Sequence, residues 1–397
     1  MALHAGTLFL LLSAAGLCVL ALQHLSLWLH LAPRRDTARA GAGARPAISV
    51  LKPLCGLDDQ LERNLALFAS LDYRDYEVVL GVRDTGDPAW EVALRTVRRW
   101  PHRFRVVVQE GQASYNPKVN QLIGMARAAR HDLLVISDSN VRVDAGYLSG
   151  IADAFADPAV GLVTHPVVGS GAERLGSVFD ALHLAGAVAP GMVAAKRLAG
   201  QDIVVGKSMA LRRADLEALG GFEAVKDFLA EDYVLGRWVA RRLGKRVLLA
   251  PAVVVNVSER RTLGDFYGRY ARWSVMQRKA TGVPLHLAQV LLNPVFLAAV
   301  ALAAAPSTRA VAAFLGVCTA KVAIDAASAW RLGSRDLPLS DLAFVPAKDL
   351  LFAAAWLHGL LRDDVVWRGN RLRVLRGTRL APLPRAPRAA LGAAAAR

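Results

Sequence analysis

The stretch Leu133-Leu134-Val135-Ile136-Ser137-Asp138-Ser139-Asn140 runs five residues of strand character straight into a polar turn headed by an acid. A short apolar run bounded by turn residues reads as a buried strand. Working outward, the same signal recurs at Ile48–Leu51, Glu77–Val82 and Phe104–Val108. Between these strands the spacing predicts helices over Asp58–Ser70, Pro88–Trp100 and Pro117–Arg130, the last with proline at its start. Strands alternating with helices predict an α/β domain with a mostly parallel sheet covered on both faces.

Ligands of such sheets bind beyond the carboxyl ends of the strands. The residues there are informative. The second strand ends in Gly81-Val82-Arg83-Asp84, the fourth in Ser137-Asp138-Ser139-Asn140, and a later helix is headed by Ala230-Glu231-Asp232-Tyr233. Carboxylates in these places can converge without cysteine or histidine, and oxygen-only sites suit Mg²⁺ or Mn²⁺ bridging a substrate's phosphates. Neither a G-x-x-x-x-G-K-[ST] loop nor a G-x-G-x-x-G fingerprint is present. Each acid also has a plainer reading. Asp84 and Asp138 suit turns, and Glu231-Asp232 complements a helix dipole.

Hydrophobic residues make up 54% of the 397 and mean hydropathy is +0.31, high for a soluble chain. The excess sits at the ends. Gly6–Ala32 holds no Lys, Arg, Asp or Glu and is long enough to cross a bilayer. Arg34, Arg35 and Arg39 follow it, which by the positive-inside rule puts the N-terminus outside and the next residues in the cytoplasm. Three further apolar stretches are Pro284–Pro306, Ala310–Trp330 and Leu337–Leu361, the last carrying Asp341, Lys348 and Asp349. These charges are costly in lipid unless they face protein or water. An Arg-rich segment, Arg362–Arg379, reads as cytoplasmic, so one of the three stretches is expected to re-enter or lie at the interface. The Pro-interrupted first and the charged third are the candidates.

The expected organisation is thus an anchor over 1–33, a cytosolic domain over 46–282, membrane helices over 283–361 and a basic tail over 362–397, low in complexity after Ala381. Lys and Arg outnumber Asp and Glu by 49 to 33, a formal charge of +16. That balance suits a phosphate-bearing substrate or an anionic leaflet, and no basic recognition motif points to nucleic acid. Cys18, Cys55 and Cys318 have no spacing for a zinc site or a disulfide framework.

Taken in order, seven motifs resemble the ceramide glucosyltransferase-like family, glycosyltransferase family 21, a GT-A fold allied to family 2. They are Ser49-Val50-Leu51-Lys52-Pro53-Leu54, Val82-Arg83-Asp84, Asn116-Pro117-Lys118-Val119-Asn120, Asp138-Ser139-Asn140-Val141-Arg142-Val143, Gly206-Lys207-Ser208-Met209, Glu231-Asp232-Tyr233 and Arg269-Tyr270-Ala271-Arg272-Trp273. The resemblance implies that Asp84 contacts the nucleoside, that Asp138 with Asn140 holds a divalent metal beside the diphosphate, and that Asp232 is the catalytic base. It implies that Lys52, Lys118, Arg269, Arg272 and Trp273 belong to the donor side, and Gly206, Lys207, Ser208 and Glu231 to the acceptor side.

Three departures stand out. The usual Asp-x-Asp is Asp-Ser-Asn here, Arg269 stands where many family 2 polymer synthases have Gln, and Ala189-Pro190 stands where animal relatives carry His-Pro. The implied activity is an inverting transfer of a hexose, glucose first, from a UDP-sugar to the hydroxyl of a membrane lipid such as ceramide. The expected setting is a bacterial inner membrane, with the domain facing the cytoplasm. A hopanoid or glycerolipid acceptor with UDP-N-acetylglucosamine or UDP-galactose remains open, with the region Leu175–Ala199 as acceptor lining. So does a non-catalytic binding protein on the same fold.

Overall fold

In the computed structural model of the chain, residues 2–32, 45–111, 114–334, 336–367 and 369–383 are described. Arg34, Arg35 and Arg39, on which the expected orientation rests, and the low-complexity run from residue 384 lie outside these.

The first half of the sheet forms as its sequence predicts. Strands β1 (Ile48–Pro53), β2 (Tyr76–Val82), β3 (Phe104–Val108) and β4 (Leu133–Ser137) run parallel, with β1 paired to β2 on one side and β4 on the other. Helices α2 (Leu61–Leu67), α3 (Ala89–Arg99) and α4 (Pro117–Ala128) cover the faces. β1, β2 and β4 are buried at every position, as expected of strands covered on both sides. The chain turns back at β1: β2 and β3 build outward on one side, β4 on the other. That is the switch point at which a doubly wound sheet opens a crevice.

The second half adds β5 (Val141–Arg142), α5 (Tyr147–Ala154), β6 (Val160–Thr164), β7 (Val167–Ser170), α6 (Leu175–His183), α7 (Ala189–Ala199), β8 (Ser208–Arg212), α8 (Arg213–Ala218), α9 (Glu231–Arg242), β9 (Arg246–Leu249) and β10 (Val254–Val257). The main sheet has the order β3-β2-β1-β4-β8-β6-β9, and β8 alone runs against its two neighbours. β5, β10 and β7 form a small second sheet beyond the end of β4.

Two expectations are corrected here. The helix expected over Asp58–Ser70 is only Leu61–Leu67, because the residues before it are engaged elsewhere. Asp58 accepts from the Ser139 hydroxyl, Asp59 accepts from the Glu259 amide at 2.7 Å, and Gln60 is left-handed at φ 54°. The segment read as a basic tail folds as an antiparallel sheet of β11 (Asp364–Trp367), β12 (Asn370–Val374) and β13 (Leu380–Pro382). Val365, Leu372, Val374 and Leu380 face inward onto Leu229 and Val275, while Arg371, Arg373 and Arg379 face out. This period-2 alternation lies beneath the arginine count.

The polar helix α10 (Leu263–Thr281) leads into the apolar segments, which form α11 (Val283–Ala288), α12 (Pro294–Ala304), α13 (Thr308–Arg331) and α14 (Val345–Leu361) together with α1 (Ala2–His30). Among the described residues four stretches are long and apolar enough to cross a membrane: His4–His30, Leu175–Ala199, Thr308–Arg331 and Leu339–Leu361. Leu175–Ala199 differs from the others in being mostly buried in protein, with α6 and α7 joined by a widened turn at Leu184–Val188. The Pro-interrupted stretch is broken, its halves Val283–Leu292 and Pro294–Ala304 meeting at 83°. Asn293 makes the corner. Its Oδ1 caps α12 by accepting from the Phe296 amide at 3.1 Å, and its Nδ2 donates to the Asp349 carbonyl at 2.7 Å.

Of the charges expected to be costly in lipid, Lys348 and Asp349 are paired inside the bundle, with Lys321 and Asp325 of α13. Lys321 Nζ lies 2.5 Å from both oxygens of Asp325, and Lys348 Nζ lies 2.8 Å from Asp349 and 3.3 Å from Asp325. His24 of α1 approaches Asp325 at 3.8 Å. Two ammoniums and two carboxylates make the quartet formally neutral. A Cβ at Gly186 would come within 2.5 Å of the Asp325 carboxyl, so the segment between α6 and α7 packs directly on the quartet.

Removing one partner of a buried charge set costs about 3–5 kcal/mol. Asp325→Ala leaves two buried ammoniums to share the single carboxylate of Asp349 and is expected to lower the melting midpoint of the full chain in detergent sharply. Asp341→Asn, outside the quartet, should move it within about 0.5 kcal/mol. Equal midpoints for the two variants would contradict this account.

Candidate functional site

The site lies at the carboxyl ends of β1 and β4, where the N-termini of α4 and α9 meet the loop into β8. α4 starts where it does because Asn116 caps it: Oδ1 accepts from the amides of Lys118 at 3.0 Å and Val119 at 3.1 Å, with Pro117 in the first turn. This aims Lys118 into the crevice. Its ammonium lies 2.9 Å from Asp138 Oδ1 and 3.4 Å from Glu231 Oε1, and donates to the Gly206 carbonyl at 2.9 Å. Lys207 closes the other side of Asp138, 3.3 Å from Oδ2, and donates to Asn140 Oδ1 at 2.7 Å. Asp232, at the head of α9, accepts from the amides of Gly206 and Tyr233. Glu231 accepts from Asn116 Nδ2 at 3.0 Å.

Lys118, Asp138, Asn140, Gly206, Lys207, Glu231 and Asp232, drawn from four parts of the chain, thus form one connected cluster. Gly206 is required by close approach, since a Cβ there would lie 2.7 Å from Lys118 Nζ and 3.0 Å from Asp232 Oδ2.

Two expected site residues do not face the crevice. Lys52 is fully buried one layer behind Asp138. Its ammonium donates to Ser137 Oγ at 3.1 Å and the Asp138 carbonyl at 2.9 Å, and lies 3.8 Å over the Phe68 ring. The assignment of Lys52 to donor binding is therefore corrected: it braces the turn that carries Asp138. Ser208, assigned to the acceptor, is buried in β8, where its hydroxyl meets Tyr147 at 2.7 Å and His165 at 2.9 Å. Alternation along the strand turns it inward.

Asp84 is half-exposed at the end of β2, accepting from the Gly86 amide at 2.9 Å and from Arg83 Nε at 2.7 Å. Its turn-capping role is thus real, and the rest of its carboxyl is open to solvent.

The Arg-x-x-Arg-Trp stretch lies on α10. Arg269 is buried and paired with Asp180 Oδ2 at 2.6 Å, while the Tyr270 hydroxyl donates to Asp180 Oδ1 at 2.7 Å. Arg272 and Trp273 are half-buried, and the Arg269 guanidinium stacks 5.5 Å over the Trp273 ring. Asp180 escaped the sequence reading, although a lone acid in the apolar run Leu175–Ala199 is a signal in itself. Asn256 escaped it too, having no motif around it.

Electrostatics divide the cluster. Burial raises the Asp138 carboxyl, but Lys118 and Lys207 outweigh it and hold Asp138 well below the usual carboxylate range. Burial also raises Glu231, to about 7, and raises Asp232, with Lys118 only partly offsetting either. Burial lowers Lys52 to about 7 and Lys207 to about 8, with Asp138 opposing in both. One carboxylate is therefore kept ionised beside two cations, while its two acidic neighbours hold their protons more tightly than free carboxylates. Widely separated carboxyl affinities in one cleft mark acid–base division of labour.

A family model described as glycosyl transferase family 21 matches residues 8–380. Ceramide glucosyltransferase 1 of Caenorhabditis elegans is 27% identical over 237 residues, 57% of this chain and 49% of that protein. Ceramide glucosyltransferase 3 of the same organism is 26% identical over 262 residues, 64% and 54% respectively. The chain spans about half the length of these curated relatives. A mannosyltransferase of Pyrobaculum calidifontis, solved in complex with GDP-mannose and Mn²⁺, superposes with a TM-score of 0.56 at 21% identity, covering 89% of this chain and 99% of that one. That likeness establishes the fold.

If Asp232 must be ionised to act, proton uptake by the Glu231–Asp232 pair switches activity off. Log kcat/KM is then expected to rise with pH and level off, its acid limb centred above about 4, the value of a free carboxylate. A limb at or below 4 would exclude either acid as the base. Gly206→Ala should push Lys118 and Asp232 apart and lower kcat by about tenfold or more, since small displacements of catalytic groups carry large costs.

Proposed function

The chain belongs to glycosyl transferase family 21, and on that footing we propose that it transfers a hexose, glucose first, from a UDP-sugar to the hydroxyl of a membrane lipid such as ceramide. The observation that carries this reading is the cluster itself. An ionised Asp138 between two ammoniums stands beside a second acid, Asp232, of raised proton affinity. The names of the curated relatives support glucose and ceramide. The apolar helices packed against the domain support a membrane setting, with the domain on the cytoplasmic side as the charge pattern of the sequence suggests.

The acceptor hydroxyl approaches Asp232, which takes its proton as the oxygen attacks the anomeric carbon from the face opposite the nucleotide. The bond from that carbon to the diphosphate breaks, the electron pair leaves with the diphosphate, and the anomeric configuration inverts. Lys118 and Arg272 meet the charge that develops on the leaving group, an electrostatic contribution realised in the transition state. Asp84 holds the nucleoside, and Trp273 closes over the donor's diphosphate.

A divalent cation, Mg²⁺ or Mn²⁺, is the expectation carried by the resemblance, and the Mn²⁺ of the mannosyltransferase supports it in general. When bound it would supply further electrostatic stabilisation of the diphosphate, with Asp138 and the Asn140 amide oxygen as its ligands. These residues fit it poorly as they stand. The pair offers one carboxylate, both oxygens of which face ammoniums, and Asn140 Oδ1 accepts from Lys207. Among the described residues no three acids, histidines or cysteines converge on a metal position.

Ala189-Pro190 in place of His-Pro favours a second reading, in which the acceptor is a hopanoid or a glycerolipid and the donor UDP-N-acetylglucosamine or UDP-galactose. Ala189 is buried at the widened turn between α6 and α7, within the segment expected to line the acceptor.

Transfer of labelled sugar in nanodiscs separates these readings. UDP-glucose, UDP-galactose and UDP-N-acetylglucosamine are each offered with ceramide, a hopanoid and diacylglycerol. Asp232→Asn is expected to reduce lipid-linked label by about 10²–10⁴-fold, the usual contribution of a positioned base. Undiminished label in that variant would remove Asp232 from the mechanism. The absence of label with every pair would favour a binding protein.

A further inference from the structure

The second position of the Asp-x-Asp pattern is Asn140, and the structure accounts for the amide. Asn140 Nδ2 donates to Asn256 Oδ1 and to the Val257 carbonyl, both at 3.1 Å. An aspartate there would turn a charged oxygen onto two acceptors, an arrangement with no compensating bond. The neutral amide is thus what its surroundings demand.

Its direction is set from a distance. Asp180 accepts from Arg269 and Tyr270 and can only accept while ionised, so Asn256 turns its Nδ2 towards it, at 3.5 Å. Asn256 Oδ1 then faces Asn140, Asn140 must donate in that direction, and Asn140 Oδ1 is left facing Lys207. Donor and acceptor roles thereby run in one sense from α10 to the crevice. Lys207 is held at its other end too, because the Asp138 amide donates to the Lys207 carbonyl at 3.3 Å.

The charges agree with this assignment. Two carboxylates and a divalent ion sum to zero. One carboxylate, one amide and one ammonium do the same. Lys207 Nζ touches both side chains that would otherwise hold the ion, at 2.7 and 3.3 Å, and its side chain is not sealed from solvent.

We propose that the Lys207 ammonium is a resident cation at the place where family resemblance puts the metal, that it binds the donor's diphosphate, and that Asn140 supports it. Lys207 thereby moves from the acceptor side to the donor side. Nucleotide binding is then largely independent of divalent metal, with Lys118 as the second fixed charge. The relay through Asn256 and Asp180 makes Arg269 a positioning residue for this cation.

The inference rests on the nucleotide-sugar reading, and one titration tests the two separately. UDP is titrated calorimetrically into the full chain in detergent, first with EDTA and then with Mn²⁺. The wild type is expected to bind in EDTA within a few-fold of its affinity in Mn²⁺. Lys207→Met should weaken binding in EDTA by about tenfold or more, the weight of a charge-assisted hydrogen bond. Lys207→Arg, which keeps the charge, should retain most of it, and an unchanged melting midpoint for both variants shows that they fold. If UDP binds only with Mn²⁺, and Lys207→Met binds it as the wild type does, the resident cation is overturned and the nucleotide-sugar reading stands. If no nucleotide binds in either condition, both fall.

Discussion

The organising constraint is the Asp138 carboxylate, held between the ammoniums of Lys118 and Lys207 at the mouth of the sheet. A buried carboxylate is stable as an ion only when opposite charge and hydrogen bonds replace its water. Each neighbouring feature answers that demand. Lys52 lies beneath the turn, the cap at Asn116 aims Lys118, and the missing side chain of Gly206 lets Lys118 and Asp232 come together. The two lysines that hold Asp138 ionised leave Glu231 and Asp232 under-compensated, which is why these acids rise in proton affinity while Asp138 falls. One set of cations thereby separates electrostatic and acid–base roles among three carboxylates.

The same rule governs the junction with the apolar helices. Asp180 projects from α6 into a buried setting and is matched by Arg269 and Tyr270 of α10. Deeper in the bundle, Lys321, Asp325, Lys348 and Asp349 neutralise one another, with Gly186 packed against Asp325. Leu175–Ala199 is therefore tied to the crevice through Asp180, Asn256 and Asn140, and to the buried charges of the helical bundle through Gly186. Buried ion pairs add little net stability against apolar packing but penalise misalignment heavily, and here they join two structural layers at defined registers.

Much of this was legible in the chain. The strand signals β1 to β4, the helix at Pro117, the apolar stretches and the residues Lys118, Asp138, Asn140, Lys207, Glu231 and Asp232 all stood out, because period, turn chemistry and charge are local properties. The errors have physical causes. Lys52 lies near the end of β1 and Ser208 follows Lys207 in sequence, yet burial turns both away from the crevice. The sheet β11–β13 was hidden by outward-facing arginines, and the shortened α2 by two aspartates that bond to a distant hydroxyl and a distant amide.

The sequence by itself determined the mostly parallel α/β domain, its apolar flanks and the ordered motifs, since each depends on neighbours a few residues apart. Only the tertiary structure decided which charges meet. Asp180 and Arg269 are 89 positions apart, and Asn140 and Asn256 are 116 apart. No spacing rule links them. Pairing of that kind is set by the packing of helices and sheets, and with it the direction of every hydrogen bond from Asp180 to Lys207.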